Sequence, residues 1–249
     1  MNTHETLSQL KKLRLNGMHH TYQAMLQLPL HQQPQAHELL AQLVDAETLH
    51  RTNKRTQLYL KNSKLRYAAM LEQLAFSDHR QLSKNQVLQL ADCAFIQNAQ
   101  NILISGATGV GKSFLACAIG HQACIMGFKT RYFNFNRFIE TILQAKLDGT
   151  FVKLLNQLQN THLLIFDDFG LCTIDQQTRL ALLQILEDRY GKYPIIIASQ
   201  LPIAKWYQII GEQTLADAIM DRILAHAHRF ELKGNSLRQP NSQHKNLPL

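Results

Sequence analysis

The chain has 249 residues, of which 45% are hydrophobic and 18% charged, a composition typical of a globular protein and not of a disordered or collagen-like one. Its longest apolar runs, near residues 163–166 and 195–198, have the length of a strand, so they exclude a membrane-spanning segment. No signal-type apolar segment follows the first five residues, and we therefore expect a cytoplasmic protein. The net charge of +8 favours a polyanionic partner.

The first 70 residues are predicted to be helical. Leucines repeat at helical spacing over residues 7–15 and predict a short amphipathic helix that ends at Asn16-Gly17. Prolines bracket a loop over residues 29–34, a second helix is predicted from residue 35 to about 61, and an apolar helix from 67 to about 76. These 70 residues hold nine Lys and Arg against four acids, so they carry +5 of the net charge.

The second of these helices becomes basic beyond residue 50. Arg51, Lys54 and Arg55 stand at positions i, i+3 and i+4 of one helical face, and basic residues continue to Arg66. We expect this surface to bind the phosphates of duplex DNA without reading sequence, but the same helices could equally recruit a protein or join protomers. The candidate DNA contacts are Arg51, Lys54, Arg55, Lys61 and Lys64, with Tyr59, Tyr67 and Phe76 as stacking surfaces.

From about residue 101, short β-prone runs alternate with helical stretches. Strands are predicted over 101–105, 129–133, 162–166, 194–199 and 229–232, and helices over 112–126, 136–147, 176–190 and 215–225. This alternation predicts βαβ units with a parallel sheet, and hence an α/β fold. We divide the chain into a helical N-terminal domain (1–75), an α/β domain (76–240) and a loosely ordered tail (241–249).

Residues 106–113, GATGVGKS, match the phosphate-loop pattern G-x-x-x-x-G-K-[ST] between a predicted strand and a predicted helix. Glycines allow the backbone to approach a phosphate closely, and the helix N-terminus adds its positive dipole end. We expect Lys112 to neutralise the β- and γ-phosphates of ATP and Ser113 to ligate Mg²⁺. The predicted nucleotide-binding residues are Gly106, Ala107, Thr108, Gly109, Val110, Gly111, Lys112, Ser113 and Phe114.

Two acids, Asp167 and Asp168, end the apolar run at 163–166. Asp167 is expected to hold Mg²⁺ through water, and Asp168 to orient or deprotonate the attacking water. The next strand ends in Ser199-Gln200, whose polar side chains are expected to sense the γ-phosphate or position water.

Phosphoryl transfer also favours an arginine finger, which stabilises the charge on a neighbouring subunit's ATP. Arg222 is the first candidate for it and Arg189 the second. The predicted catalytic residues are therefore Asp168, Lys112, Gln200 and Arg222.

Five segments narrow the class of protein: GATGVGKS (106–113), LLIFDDFG (163–170), ASQLP (198–202), DRIL (221–224) and GNSLR (234–238). Together with residues 13–18 they resemble the IstB-like helper ATPases of two-component insertion sequences, relatives of DnaC-type helicase loaders in the AAA+ class. The resemblance implies an AAA+ core with a five-stranded parallel sheet behind a helical N-terminal domain. It also implies an ATP-dependent, DNA-binding homo-oligomer, with active sites between subunits, that works with a transposase on target DNA.

The sequence departs from the AAA+ pattern at two points. Asp168 stands where many AAA+ proteins have Glu, so we expect slow, switch-like hydrolysis. Only 17 residues follow Leu232, so we expect no C-terminal helical lid. Three alternatives stay open: a helicase loader, a small-molecule kinase with the same phosphate loop, and a protein that binds nucleotide without hydrolysing it.

Overall fold

The computed structural model describes residues 3–76 and 80–237, and it begins with three helices. They are α1 (Thr3–Lys12), α2 (Asn16–Met25) and α3 (Ala36–Ser63). The helix predicted over 7–15 therefore ends earlier than expected, and a separate helix begins at Asn16. The predicted second helix is confirmed by α3 to within two residues at each end.

The start of α2 depends on a buried acid of α3. The backbone N–H groups of Gly17 and Met18 donate hydrogen bonds of 2.8 and 3.3 Å to Oε2 of Glu47, which takes the place of a side-chain cap. A Cβ atom at Gly17 would lie 2.3 Å from the carbonyl oxygen of Ala46, so the contact requires glycine. Burial raises the pKa of Glu47, but hydrogen bonds from Arg51, Met18 and Gly17 outweigh it and leave the pKa below its usual value.

The chain divides into two compact units between Leu58 and Tyr59, earlier than the predicted boundary after residue 75. The reason is that residues 59–76 belong to the core of the second unit, where Ala69 and Leu74 are buried. The helix predicted over 67–76 is wrong, because only a short 3₁₀ turn, Leu71–Gln73, forms there. The apolar residues of this segment pack on the core of the second unit without forming the apolar face of a helix.

The second unit contains the predicted five-stranded parallel sheet, and its strand order is β2-β3-β4-β1-β5. The strands are β1 (Ile102–Gly106), β2 (Thr130–Asn134), β3 (Leu163–Asp167), β4 (Ile195–Ser199) and β5 (His228–Leu232). The helices are α4 (Lys84–Leu88), α5 (Ala94–Gln97), α6 (Lys112–Ile125), α7 (Phe135–Leu147), α8 (Phe151–Gln159), α9 (Gln176–Arg189), α10 (Trp206–Ile210) and α11 (Gln213–Leu224). The sequence patterns predicted α6, α7, α9 and α11 and missed the others.

Side chains of the strands alternate between two buried clusters, one on each face of the sheet. In β1, Ile102 and Ile104 pack with residues of α6, whereas Leu103 packs with residues of α7, α9 and α11. A strand covered on both faces has no polar side, which explains its continuous apolar run. Parallel strands place all their carboxyl ends at one edge of the sheet, and ligands of open α/β sheets bind at that edge.

Among the residues described after β5, which are 233–237, no helix forms. Arg238 and the predicted tail 241–249 lie outside the described residues. In the part of the chain that the structure covers, no helix is both long and apolar enough to cross a membrane.

Candidate active site

A cleft of about 370 Å³ lies at the carboxyl edge of the sheet. Three polar segments meet there because β3, β4 and β1 are neighbours: the loop after β1, Asp168 after β3 and Gln200 after β4. Of the residues predicted from the sequence, the cleft is lined by Thr108, Gly109, Gly111, Lys112, Ser113, Phe114, Asp168 and Gln200.

The phosphate loop is held from outside by two other segments. The backbone N–H of Leu237 donates to the carbonyl oxygen of Gly109 (3.0 Å), and Nη2 of Arg80 donates to that of Val110 (2.7 Å). Gly109 has a φ of +87°, and a Cβ atom there would lie 2.1 Å from Oγ of Ser236. An anion site needs N–H groups to face its ligand, so contacts that engage the carbonyl groups of this loop support that function.

Lys112 and Gln200 both contact the phosphate loop. Lys112 is buried at the first position of α6, and its Nζ donates to the carbonyl oxygen of Ala107 at 2.8 Å. The hydroxyl of Thr108 donates to Oε1 of Gln200 at 2.7 Å, which fixes that side chain beside the loop. Ser199 does not share this position: it is buried, and its hydroxyl donates to the carbonyl oxygen of Phe169.

Asp167 is fully buried below the cleft. Its Oδ2 accepts a 2.7 Å hydrogen bond from the hydroxyl of Tyr132, and its Oδ1 accepts one of 3.0 Å from the backbone N–H of Asp168. Burial of the phenol and its hydrogen bond to the Asp167 carboxylate raise the pKa of Tyr132. Tyr132 therefore stays a protonated donor to this acid.

Asp168 has a left-handed backbone conformation, with φ of +61°, which Asp tolerates better than most residues. One third of its side chain is exposed, and it lines the cleft. Its Oδ2 accepts a 2.8 Å hydrogen bond from Nδ2 of Asn134, the last residue of β2. The sequence analysis did not identify Asn134. A polar residue at the end of a strand is a candidate for the site only if that strand lies next to β3, and the sequence did not give the order of the strands.

Arg66 and Tyr67 also line the cleft, together with Leu171 and Leu237. Nη1 of Arg66 lies 3.5 Å from Oδ2 of Asp168 and 3.7 Å from Oδ2 of Asp167. The sequence analysis placed Arg66 at the end of the basic run after residue 50, and Tyr67 among the candidate stacking residues. No local pattern links them to a loop forty residues later, because only the packing of residues 59–76 on the core places them there.

Arg222 lies at the opposite edge of the sheet. Nδ2 of Asn101, which directly precedes β1, donates to the carbonyl oxygens of Arg222 and Ile223 at 2.9 and 3.0 Å. The Arg222 guanidinium binds Glu187 at 3.1 Å. A five-residue strand spans about 16 Å, so Arg222 does not reach the cleft of its own chain.

Arg189, the second candidate finger, is buried and 2% exposed. Its guanidinium donates to four carbonyl oxygens at 2.6–3.3 Å: those of Leu158, Thr161, His162 and Pro194. Burial lowers its pKa. These contacts argue against a finger role for Arg189, because its guanidinium already binds carbonyl groups inside its own chain.

The predicted DNA contacts are all exposed. Arg51, Lys54 and Arg55 belong to the first unit, and Lys61 and Lys64 to the second. Arg51 differs from the others because its Nε pairs with Oε1 of Glu47 at 2.7 Å.

Comparison with known proteins gives a consistent result. The family model described as IstB-like ATP binding protein matches residues 8–245. The insertion sequence ATP-binding protein y4pL of Sinorhizobium fredii is 38% identical over 239 residues, which are 96% of this chain and 98% of that protein. The crystal structure of DnaI is similar with a TM-score of 0.58 and 19% identity, covering 67% of this chain and 92% of DnaI. The DnaC helicase loader structure is similar with a TM-score of 0.54 and 20% identity, covering 67% of this chain and 98% of the loader.

Proposed function

Since the chain belongs to the family of IstB-like ATP-binding proteins and is an AAA+ ATPase, we propose that it is the ATP-dependent helper of an insertion sequence, which assembles on duplex target DNA and works with a transposase. The observation that carries the proposal is the convergence of Lys112, Asp168 and Gln200 on one cleft. The insertion-sequence origin of the relative y4pL supports the role in transposition.

In this proposal the residues of the cleft divide the work of ATP hydrolysis. Lys112 and the N-terminus of α6 bind the β- and γ-phosphates. Asp168 accepts a proton from the water that attacks the γ-phosphorus, while the bond from this phosphorus to the bridging oxygen of ADP breaks. Gln200, held by Thr108, positions that water or the γ-phosphate.

Magnesium fits the residues at this end of the cleft. The Ser113 hydroxyl and the Asp167 carboxylate are oxygen donors, which this hard cation prefers. When bound, Mg²⁺ supplies positive charge to the phosphate oxygens of ATP.

We propose that a second copy of the chain completes the site. The position of Arg222 at the far edge of the sheet leaves it able to act only on the ATP of another subunit. Because Arg222 is held by Glu187 here, assembly of a homo-oligomer would exchange this ion pair for contact with phosphate. Hydrolysis would then depend on assembly.

We assign DNA binding to the five exposed basic residues between positions 51 and 64. Arg51, Lys54, Arg55, Lys61 and Lys64 match the sequence-independent phosphate contacts that an assembly on target DNA needs. The positive charge concentrated in this part of the chain supports the assignment.

The test is ATP turnover with and without duplex DNA, together with DNA binding over a range of salt concentrations. We expect duplex DNA to stimulate turnover and Lys112→Ala to abolish nucleotide binding. The logarithm of DNA affinity should fall with log salt by about 0.9 for each phosphate neutralised. A matched control is Lys192→Ala, which removes one exposed positive charge in the loop after α9. If duplex DNA does not change the rate of ATP turnover and a small phosphoacceptor raises it, the protein is a kinase.

A DnaC-like helicase loader is the second candidate, favoured by a fold similarity that covers almost the whole loader structure. Both candidates share the ATPase site and differ in the protein partner. Capture experiments with the purified chain should retain a transposase if the first proposal holds. Retention of a replicative helicase in its place would support the loader.

A further inference from the structure

We propose that Arg66 is a positioning residue of the ATPase site, which neutralises the paired acids Asp167 and Asp168 and competes with magnesium for them. This inference rests on the proposed ATP site and adds a cation from the same chain to it. The phosphate-loop and acid motifs do not include Arg66, which lies 46 residues before Lys112.

The geometry assigns Arg66 to both carboxylates. Its Nη1 is 3.5 Å from Oδ2 of Asp168 and 3.7 Å from Oδ2 of Asp167. These are the same two oxygens that bind the side chains of Asn134 and Tyr132. One guanidinium nitrogen therefore lies between the two acids and faces the cleft that Lys112 and Ser113 line.

The need for a cation follows from burial. The Asp167 side chain is only 1% exposed, and a buried carboxylate is costly unless it is hydrogen-bonded and its charge is compensated. Tyr132 and the backbone N–H of Asp168 supply hydrogen bonds but no net charge. Arg66 supplies a full positive charge.

The Arg66 side chain is accessible from solvent, because 42% of it is exposed. A divalent cation at Asp167 and the guanidinium are attracted by the same carboxylate oxygens and repel each other. Each therefore weakens the binding of the other. Arg66 thus raises the magnesium concentration that is needed to replace it at the two acids. Below that concentration, its positive charge compensates their negative charge.

The experiment measures binding of a fluorescent ATP analogue by wild-type protein and Arg66→Ala, first in chelator and then over a magnesium titration. In chelator, the acids of the variant lose the positive charge of Arg66 and repel the nucleotide more strongly, so the affinity for nucleotide should fall about two- to fivefold, the range expected for a half-exposed ion pair. In the titration the half-saturating magnesium concentration should fall by a similar factor. Arg66→Lys should lie between the two proteins, and Lys192→Ala should match wild type.

A merely structural role would not weaken nucleotide binding in chelator and at the same time strengthen the response to magnesium. A magnesium midpoint that is unchanged, or that rises, overturns the inference, and so does a loss of nucleotide binding at saturating magnesium in a folded variant. Thermal melting identifies any variant that does not fold, and Arg66→Gln, which keeps the length of the side chain, then takes the place of Arg66→Ala. If wild-type protein binds no ATP under any condition, the proposed function itself fails.

Discussion

The side-chain amide of Asn134 donates a 2.8 Å hydrogen bond to Oδ2 of Asp168, across the neighbouring strands β2 and β3. The side-chain oxygen of Asn134 also accepts from the backbone N–H of Arg137 and caps α7. One residue thus connects the orientation of the proposed base with the start of a helix.

Removal of this amide should impair hydrolysis more than nucleotide binding. We expect Asn134→Ala to lower kcat about tenfold, the value of a hydrogen bond to a charged group, because Asp168 loses its orientation. Nucleotide affinity should stay near wild type. Asn134→Ser separates the two roles, since serine caps a helix well but is too short to reach Asp168. If turnover is normal in Asn134→Ala, the hydrogen bond does not position the base.

Gly109→Ala should weaken nucleotide binding. The new Cβ would meet Ser236, and alanine at a φ of +87° costs about 1–2 kcal/mol, so the phosphate loop must shift. Affinity for an ATP analogue, measured by calorimetry, tests this expectation. The double variant Gly109→Ala/Ser236→Gly removes the closest contact but keeps the backbone strain, so it should recover only part of the loss. Full recovery would contradict the contribution of backbone strain.

Arg222→Ala should retain ATP binding and lose stimulated turnover, whereas Asp168→Asn should bind ATP without hydrolysing it. If Arg222 acts on a neighbour's ATP, mixing the two inactive proteins creates sites with an intact Asp168 facing an intact Arg222. Some turnover should then return, and it should reach a maximum at intermediate mixing ratios. No recovery at any ratio, with assembly confirmed by sizing, would rule out a finger role for Arg222.

Arg189→Met should unfold more easily than wild type. Its guanidinium binds four carbonyl groups, and their loss in a buried site should lower the free energy of unfolding by about 3 kcal/mol or more. Urea denaturation measures the change, and Lys192→Ala again removes one charge without a buried contact. A variant of normal stability that has lost stimulated turnover would restore Arg189 as a finger candidate.

The burial of Arg189 could not be predicted from its local sequence. Arg189 and Arg222 each lie in the last turn of a helix that precedes a strand, and their local sequences do not differ in a way that reveals exposure. Arg189 is buried because the carbonyl groups of two other loops converge on it. The helix predicted over residues 67–76 failed for a similar reason. The apolar side chains of this segment pack against a core formed by residues distant in the sequence, and the local pattern does not show this.

Local patterns in the sequence were sufficient for the five strands, the phosphate loop at 106–113 and the acids that follow β3. Each of these depends on neighbouring residues, on alternation with helices, or on glycines at fixed spacing. Only the tertiary structure placed Arg66 and Tyr67 in the cleft, Asn134 beside Asp168, and Arg222 at the opposite edge of the sheet. The sheet order β3-β4-β1 and the packing of residues 59–76 determine these positions, and both arise from contacts between segments that are distant in the chain.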